Sequence, residues 1–262
     1  MKNIDIYQID AFTREAFRGN PAAVCPLDDW LPESLLQNIA MENNLSETAF
    51  FVKDPDGFHI RWFSPTEEID LCGHATLASA FVVTEILSPG QDRVSFHSKG
   101  RKLEVHKKGG EWTMMFPKFL PTPMALEDLP EEVLVMAPNA AATGNGTLVL
   151  MLDDEDAVRR VTPDLKFLES NEIYLLVTAK GKEPYDFVSR FFLPSAGIDE
   201  DPVTGSAHCL LGPLWADILG KDELLAFQAS RRGGEIRLRI VADHVFLSGT
   251  AIEFMRGNIR LH

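Results

Sequence analysis

The sequence predicts a mixed α/β protein built as two similar lobes, and three observations carry that expectation. Its 262 residues exceed what a single hydrophobic core usually organises, so two cores of ordinary size are the simplest arrangement. Strand-like alternation recurs along the whole chain, interrupted by a few stretches with helical spacing. Two apolar helical stretches, one in each half, open on matching small-residue motifs, Cys72-Gly73-His74-Ala75-Thr76 and Thr204-Gly205-Ser206-Ala207-His208. A motif repeated at about half the chain length points to internal duplication. The plainer alternative is tight helix packing at small residues, and the polar choices His74 and Ser206 count against it.

Taken in order, Ile4 to Phe12 reads as a strand, and Arg18-Gly19-Asn20-Pro21 supplies a turn before the apolar run Ala22 to Cys25. Leu31 to Asn43 has Pro32 at a position suited to a first helical turn and apolar residues at Leu35, Leu36, Ile39 and Ala40, which is helical spacing. That helix delivers Asn44-Leu45-Ser46-Glu47 at its end. Thr48 to Val52 and Phe58 to Phe63 follow as strands about an Asp54-Pro55-Asp56-Gly57 turn, and Leu77 to Leu87 continues the first glycine-led helix. Strands at Arg93 to His97, Leu103 to His106 and Trp112 to Phe116 complete the first half. Pro117, Pro121 and Pro123 then mark a boundary, giving lobes of residues 1–117 and 118–262, with the last strand able to return to the first lobe.

In the second half, helices are expected at Leu126 to Met136 and Asp153 to Val161, and strands at Thr147 to Leu152, Glu172 to Ala179 and Phe187 to Leu193. Cys209 to Leu219 reads as a buried helix that Pro213 can kink. Strands with turns at Gly233-Gly234 and Ala242-Asp243 finish the chain.

A net charge of −14 opposes nucleic acid and anionic membrane surfaces, because both are bound mainly through Lys and Arg. An anionic small molecule remains possible where backbone dipoles act at short range. Cys25, Cys72 and Cys209 do not suit a disulfide framework in a chain this long, and Met1 to Asp5 runs into a strand pattern without a charged head and apolar core. The expectation is a cytoplasmic protein.

A buried helix start leaves about four backbone N–H groups without intrahelical partners, and glycine there leaves them open to a ligand carboxylate. Gly73 and Gly205 therefore suit substrate binding, and two such starts facing one cleft would make an anion site. Glu47, at the edge of the apolar run Ala49 to Val52, is the best candidate for a proton-moving base. Its plainer reading is a solvated turn carboxylate. Asp201 and Ser206 can likewise be helix-start caps, and His74 a hydrogen-bonded core histidine. Phe17, His59, Trp62 and Phe63 are candidate pocket walls.

Four ordered segments, Arg18-Gly19-Asn20-Pro21-Ala22-Ala23-Val24, Asn44-Leu45-Ser46-Glu47-Thr48, Cys72 to Thr76 and Glu200 to His208, together resemble the phenazine-biosynthesis-like PhzF family over essentially the whole chain. The resemblance implies the diaminopimelate-epimerase fold, in which each lobe is a curved, mostly antiparallel sheet wrapped around a central helix. It implies an isomerase in which Glu47 removes and returns a proton, supported by His74, Asp201 and Ser206, and a homodimer. Related racemases use two cysteines, one at each helix start; here the positions hold Cys72 and Thr204, so a two-thiol mechanism is not expected and both residues are assigned to lining the substrate. No cofactor is implied, since no dinucleotide or phosphate-binding loop is present. A metal site from Cys72, His74, His208 and Cys209 lacks the usual zinc spacings, and none is expected. The alternative from another class is a non-catalytic binder of small acids, or an interaction protein that keeps the fold.

Overall fold

Burial alternates over the first part of β1 (Lys2–Ala11), placing Ile4 and Ile6 in the interior, and a register shift at Gln8/Ile9 then brings in Ile9, in a computed structural model that describes residues 2–261. The chain divides into two units, Met1–Met115 with Ser248–His262, and Phe116–Leu247.

In the first unit β1 is followed by β2 (Asn20–Leu27), α1 (Glu33–Asn43), β3 (Glu47–Asp54), β4 (Gly57–Phe63), β5 (Glu68–Ile69), α2 (Gly73–Phe81), β6 (Arg93–Ser98), β7 (Arg101–Lys108) and β8 (Glu111–Pro117). The turn into β2 needs Gly19, whose φ is +66° and where a Cβ would meet the Ala11 carbonyl oxygen at 2.1 Å. Successive pairings alternate between antiparallel and parallel: β1 and β2 are antiparallel, β2 and β3 parallel, β3 and β4 antiparallel, β4 and β6 parallel, β6 and β7 antiparallel. Each parallel pair requires a crossover, which α1 and α2 supply. Leu36, Ile39 and Ala40 of α1 pack on Ile4, Ala23, Cys25, Phe50 and Phe63, each large side chain contributing about 1.5–3 kcal/mol. Trp62 and Phe63 are core residues, not pocket walls.

The second unit runs through β9 (Thr122–Met124), α3 (Glu131–Leu134), β10 (Ala140–Gly144), β11 (Thr147–Met151), α4 (Glu155–Arg160), α5 (Leu165–Ser170), β12 (Tyr174–Lys180), β13 (Phe187–Leu193), β14 (Ile198–Asp201), α6 (Gly205–Leu219), β15 (Glu223–Gln228), β16 (Gly234–Val241) and β17 (His244–Gly249). From β10 to β16 the order is again antiparallel, parallel, antiparallel, parallel, antiparallel, with α4 and α5 in one crossover and α6 in the other. The duplication expected from the two glycine-led motifs is thus matched strand for strand. The final strand, β18 (Ala251–Leu261), pairs antiparallel with β1 in the first unit.

Four elements differ from the sequence-based expectation. The helix over Leu126 to Met136 is a single 3₁₀ turn at Leu126–Asp128 and the four-residue α3, because Pro130 breaks it. The helix over Leu77 to Leu87 changes at Val82 to a π-helical turn, Val82–Leu87, where Val82, Val83 and Thr84 form a β-branched run. β10 and α5 stand where the sequence pattern predicts no regular element. No helix among the described residues is long and apolar enough to cross a membrane.

Candidate active site

Asn44 closes α1 in a left-handed conformation, φ 48°, with its N–H on the Ala40 carbonyl at 3.1 Å, and three residues later the chain enters β3. Glu47 is the first residue of that strand. In the same unit, the short strand β5 is clamped to β4 by Arg61, whose guanidinium donates to both carboxylate oxygens of Glu68 at 2.9 and 2.6 Å. The clamp holds Glu68 below the usual carboxylate range and fixes the entry into α2.

That entry is Cys72, extended at φ −135° and ψ 112°, and its side chain does not cap the helix. The contrast with α4 and α5 is direct: there Asp154 and Asp164 accept from Ala157 N–H at 2.7 Å and Phe167 N–H at 3.0 Å. Along α2 the buried hydroxyls are satisfied locally, Thr76 donating to the Cys72 carbonyl at 2.5 Å and Ser79 to the Ala75 carbonyl at 2.7 Å.

His74 stands between two other reactive groups. Its Nε2 is 3.0 Å from Glu47 Oε2, and its Nδ1 is 3.4 Å from Cys72 Sγ. The side chains of His74 and Glu47 are only 7% and 13% exposed. Although close, the facing Nε2 and Oε2 atoms are misaligned, and both are buried without a hydrogen-bond partner. Burial works against a charged His74, but the Cys72 sulfur and the Glu47 carboxylate outweigh it and raise its pKa well above the ordinary histidine value. The Cys72 thiol is pushed up to about 11 by burial and by the Glu47 charge, so at neutral pH it is a thiol. One donor atom from each of Glu47, Cys72 and His74 lies within 4.8 Å of the others, a set able to hold a metal ion.

The start of α6, in the second unit, is built on the same plan. Arg190 of β13 donates to both oxygens of Glu200 in β14, at 2.7 and 3.0 Å, repeating the Arg61–Glu68 clamp. Thr204 is the extended N-cap and does not cap with its side chain; its hydroxyl donates instead to Asp201 Oδ2 in a very short hydrogen bond. Asp201 therefore ends β14 and braces the loop through Thr204. Gln228, fully buried at the end of β15, accepts from Thr204 N–H at 2.8 Å and donates to the Asp201 carbonyl at 2.7 Å. His208 Nδ1 donates to the Thr204 carbonyl at 2.7 Å, and burial lowers its pKa to about 4, leaving it neutral. Ser206 is exposed on the first turn. A Cβ at Gly205 would meet only Leu247, at an ordinary 3.5 Å, so packing does not demand glycine there.

The phenazine biosynthesis-like protein family, PhzC-PhzF, matches residues 9–257. The chain belongs to this family. It is 42% identical to a Pseudomonas aeruginosa protein described as an uncharacterized isomerase, over 98% of this chain and 99% of that one, and 38% identical to mouse phenazine biosynthesis-like domain-containing protein 2, over 98% and 99%. A crystal structure of a PhzF-family protein from Enterococcus faecalis matches with a TM-score of 0.94 at 42% identity, covering 99% of this chain and 100% of that one. At 9% identity and a TM-score of 0.61, a hydroxyproline epimerase from Agrobacterium vitis shares the fold, covering 98% of this chain and 92% of that one. The activity class of this PhzF-family chain is that of an isomerase acting on a small molecule.

The sequence motifs identify Glu47, Cys72, Gly73 and His74, which the first unit brings together, and Asp201, Thr204, Gly205 and Ser206, which the second unit places around the start of α6. Gln228 and the two Arg–Glu clamps carry no such signal, because each pairs residues from separate strands. Among the described residues, the group of three or more possible metal ligands within reach of one another is Glu47, Cys72 and His74; His208 is committed to Thr204, and Cys209 is buried with its pKa pushed up to about 12. α6 offers no thiol at its N-cap, which is Thr204.

Proposed function

We propose that this isomerase moves a proton on a small carboxylate-bearing substrate by general acid/base catalysis, with Glu47 as the base. The observation that carries the reading is the buried Glu47–His74 pair, 3.0 Å apart with neither facing atom locked into a hydrogen bond. A carboxylate shielded from water but not fully committed within the protein can turn to a substrate proton, and misaligned contacts of this kind tighten once substrate is bound.

In this reading Glu47 removes a proton from a carbon made acidic by a neighbouring carbonyl or conjugated system, then returns it to the same or a nearby atom. The uncapped N–H groups at Gly73, at the positive end of α2, hold the substrate carboxylate or the negative charge that develops. His74 orients the Glu47 carboxylate and relays protons. The start of α6 has the same capacity for anionic groups through the Gly205 N–H and the Ser206 hydroxyl, with Asp201 orienting polar groups of the substrate. Cys72 and Thr204 line rather than react.

Deuterium exchange tests the chemistry across many substrates at once. The protein is incubated in deuterated water with a panel of small cyclic, aromatic and amino carboxylates, and carbon-bound deuterium is read by mass spectrometry. Wash-in that disappears in Glu47→Gln supports the reading; tight binding of an acid with no exchange at any carbon points to a binder instead. We further propose a homodimer, supported by the exposed Phe17, Phe254 and Met255, and a cytoplasmic setting, supported by three free cysteines. Sedimentation at several concentrations tests the first, and fractionation the second.

A further inference from the structure

Glu47, Cys72 and His74 offer a carboxylate, a thiol and an imidazole from two elements of one unit, β3 and the start of α2. Because the three donor atoms are no more than 4.8 Å apart, some point lies within about 2.8 Å of all of them, against bonds of about 2.0–2.3 Å in zinc sites. Side-chain adjustments of roughly half an ångström close that gap. Cys72 and His74 are buried, and Glu47 Oε2 and His74 Nε2 have no hydrogen-bond partner. They meet each other only as a 3.0 Å ion pair, so both can be turned to a third partner.

The donor set also selects among ions. Magnesium and calcium require six or more oxygen ligands, whereas one sulfur, one nitrogen and one oxygen suit a thiophilic or borderline ion with a fourth position open. We propose that Glu47, Cys72 and His74 form a binding site for a divalent cation of the zinc class, and that its occupancy blocks proton transfer. On binding, the metal–sulfur bond replaces the S–H bond of Cys72, and the proton leaves to solvent. A nitrogen of the charged His74 likewise gives up its proton to solvent before it bonds the metal, and a Glu47 oxygen gives a lone pair, which withdraws both groups from the substrate. The site itself rests on the cluster alone; only its inhibitory consequence rests on Glu47 being the base.

The test titrates chelator-treated full-length protein with Co²⁺ and follows the near-ultraviolet thiolate-to-cobalt absorption. The expected result is a band that saturates at one equivalent, is displaced by Zn²⁺, and is lost in Cys72→Ser and Cys72→Ala. His74→Asn and Glu47→Gln should each weaken binding by tenfold or more, whereas Cys209→Ala should leave the band in place. Absence of a thiolate band at stoichiometric Co²⁺, or a band that survives both Cys72 variants in folded protein, overturns the site. Deuterium exchange by the metal-free protein that persists with one equivalent of bound Zn²⁺ overturns the inhibitory consequence while leaving the site intact. Absence of exchange in metal-free protein that still gives the Cys72-dependent cobalt band removes the catalytic reading and upholds the metal site.

Discussion

The starts of α2 and α6 occupy the same topological place, after a short strand clamped by a bidentate Arg–Glu pair and within the crossover of a parallel strand pair, yet their polar groups are tied down to different degrees. At α6 the loop is tied down: Thr204 bonds Asp201, Gln228 bonds both, and His208 is neutral against the Thr204 carbonyl, its buried Nε2 alone left without a partner there. At α2 the Glu47 and His74 atoms that face one another meet as an ion pair and have no hydrogen-bond partner. Duplicated architecture can therefore carry divided labour. A satisfied network gives rigidity, and an unsatisfied one leaves groups available for chemistry.

The largest expected effect breaks the comparison on the α2 side. Glu47→Gln keeps the shape of the side chain and removes the base, so deuterium exchange should fall by about 10²–10⁴-fold while the melting temperature stays near that of the parent. Equal losses in affinity and rate would assign Glu47 to binding.

The two histidines sharpen it through pH. His208 has a folded pKa near 4, below its unfolded value, so its stabilising effect is present above about pH 6.5 and is lost as pH falls toward 4. The loss is on the order of 3 kcal/mol, and urea unfolding of His208→Gln should have a flatter profile across that window. His74 carries the opposite sign: its raised pKa gives stability that is present below about pH 6.5 and lost as pH climbs through the folded value. A His74→Asn profile that diverges from the parent on the acidic side of pH 4 alone would contradict that assignment.

Gln228→Ala strips two buried partners from the Asp201–Thr204 loop and should cost about 1–3 kcal/mol in denaturant unfolding. Ser206→Ala, at an exposed position without a capping role, should change stability by no more than about 0.5 kcal/mol. A markedly larger loss for Ser206→Ala would mean that the helix start depends on it structurally.

Most strands are legible in the sequence because their apolar residues alternate, and both glycine-led helices because they are apolar on nearly every side. β10 is hidden, since Ala140-Ala141-Ala142 has little strand propensity and is held by pairing with β9 and β11. α5 is too short for its periodicity to register, although Asp164 before it is a readable cap. At the candidate site, the motifs supply the chemistry-bearing residues but not their partners. Nothing local to Thr204 announces Gln228, and nothing near Glu47 says which of several cysteines and histidines will meet it. Those facts belong to strand order.

Strand order also bears on how the protein is made. The second unit, Phe116–Leu247, is one uninterrupted stretch of chain, whereas the first is closed by β18, from the opposite end of the sequence. During synthesis the second unit can finish its hydrogen-bonded sheet while β1 still has an unpaired edge, and that edge is capped only when residues 251–261 leave the ribosome. The unit that begins earlier in the chain is thus the later to be completed, and the less satisfied of the two helix starts belongs to the unit that waits.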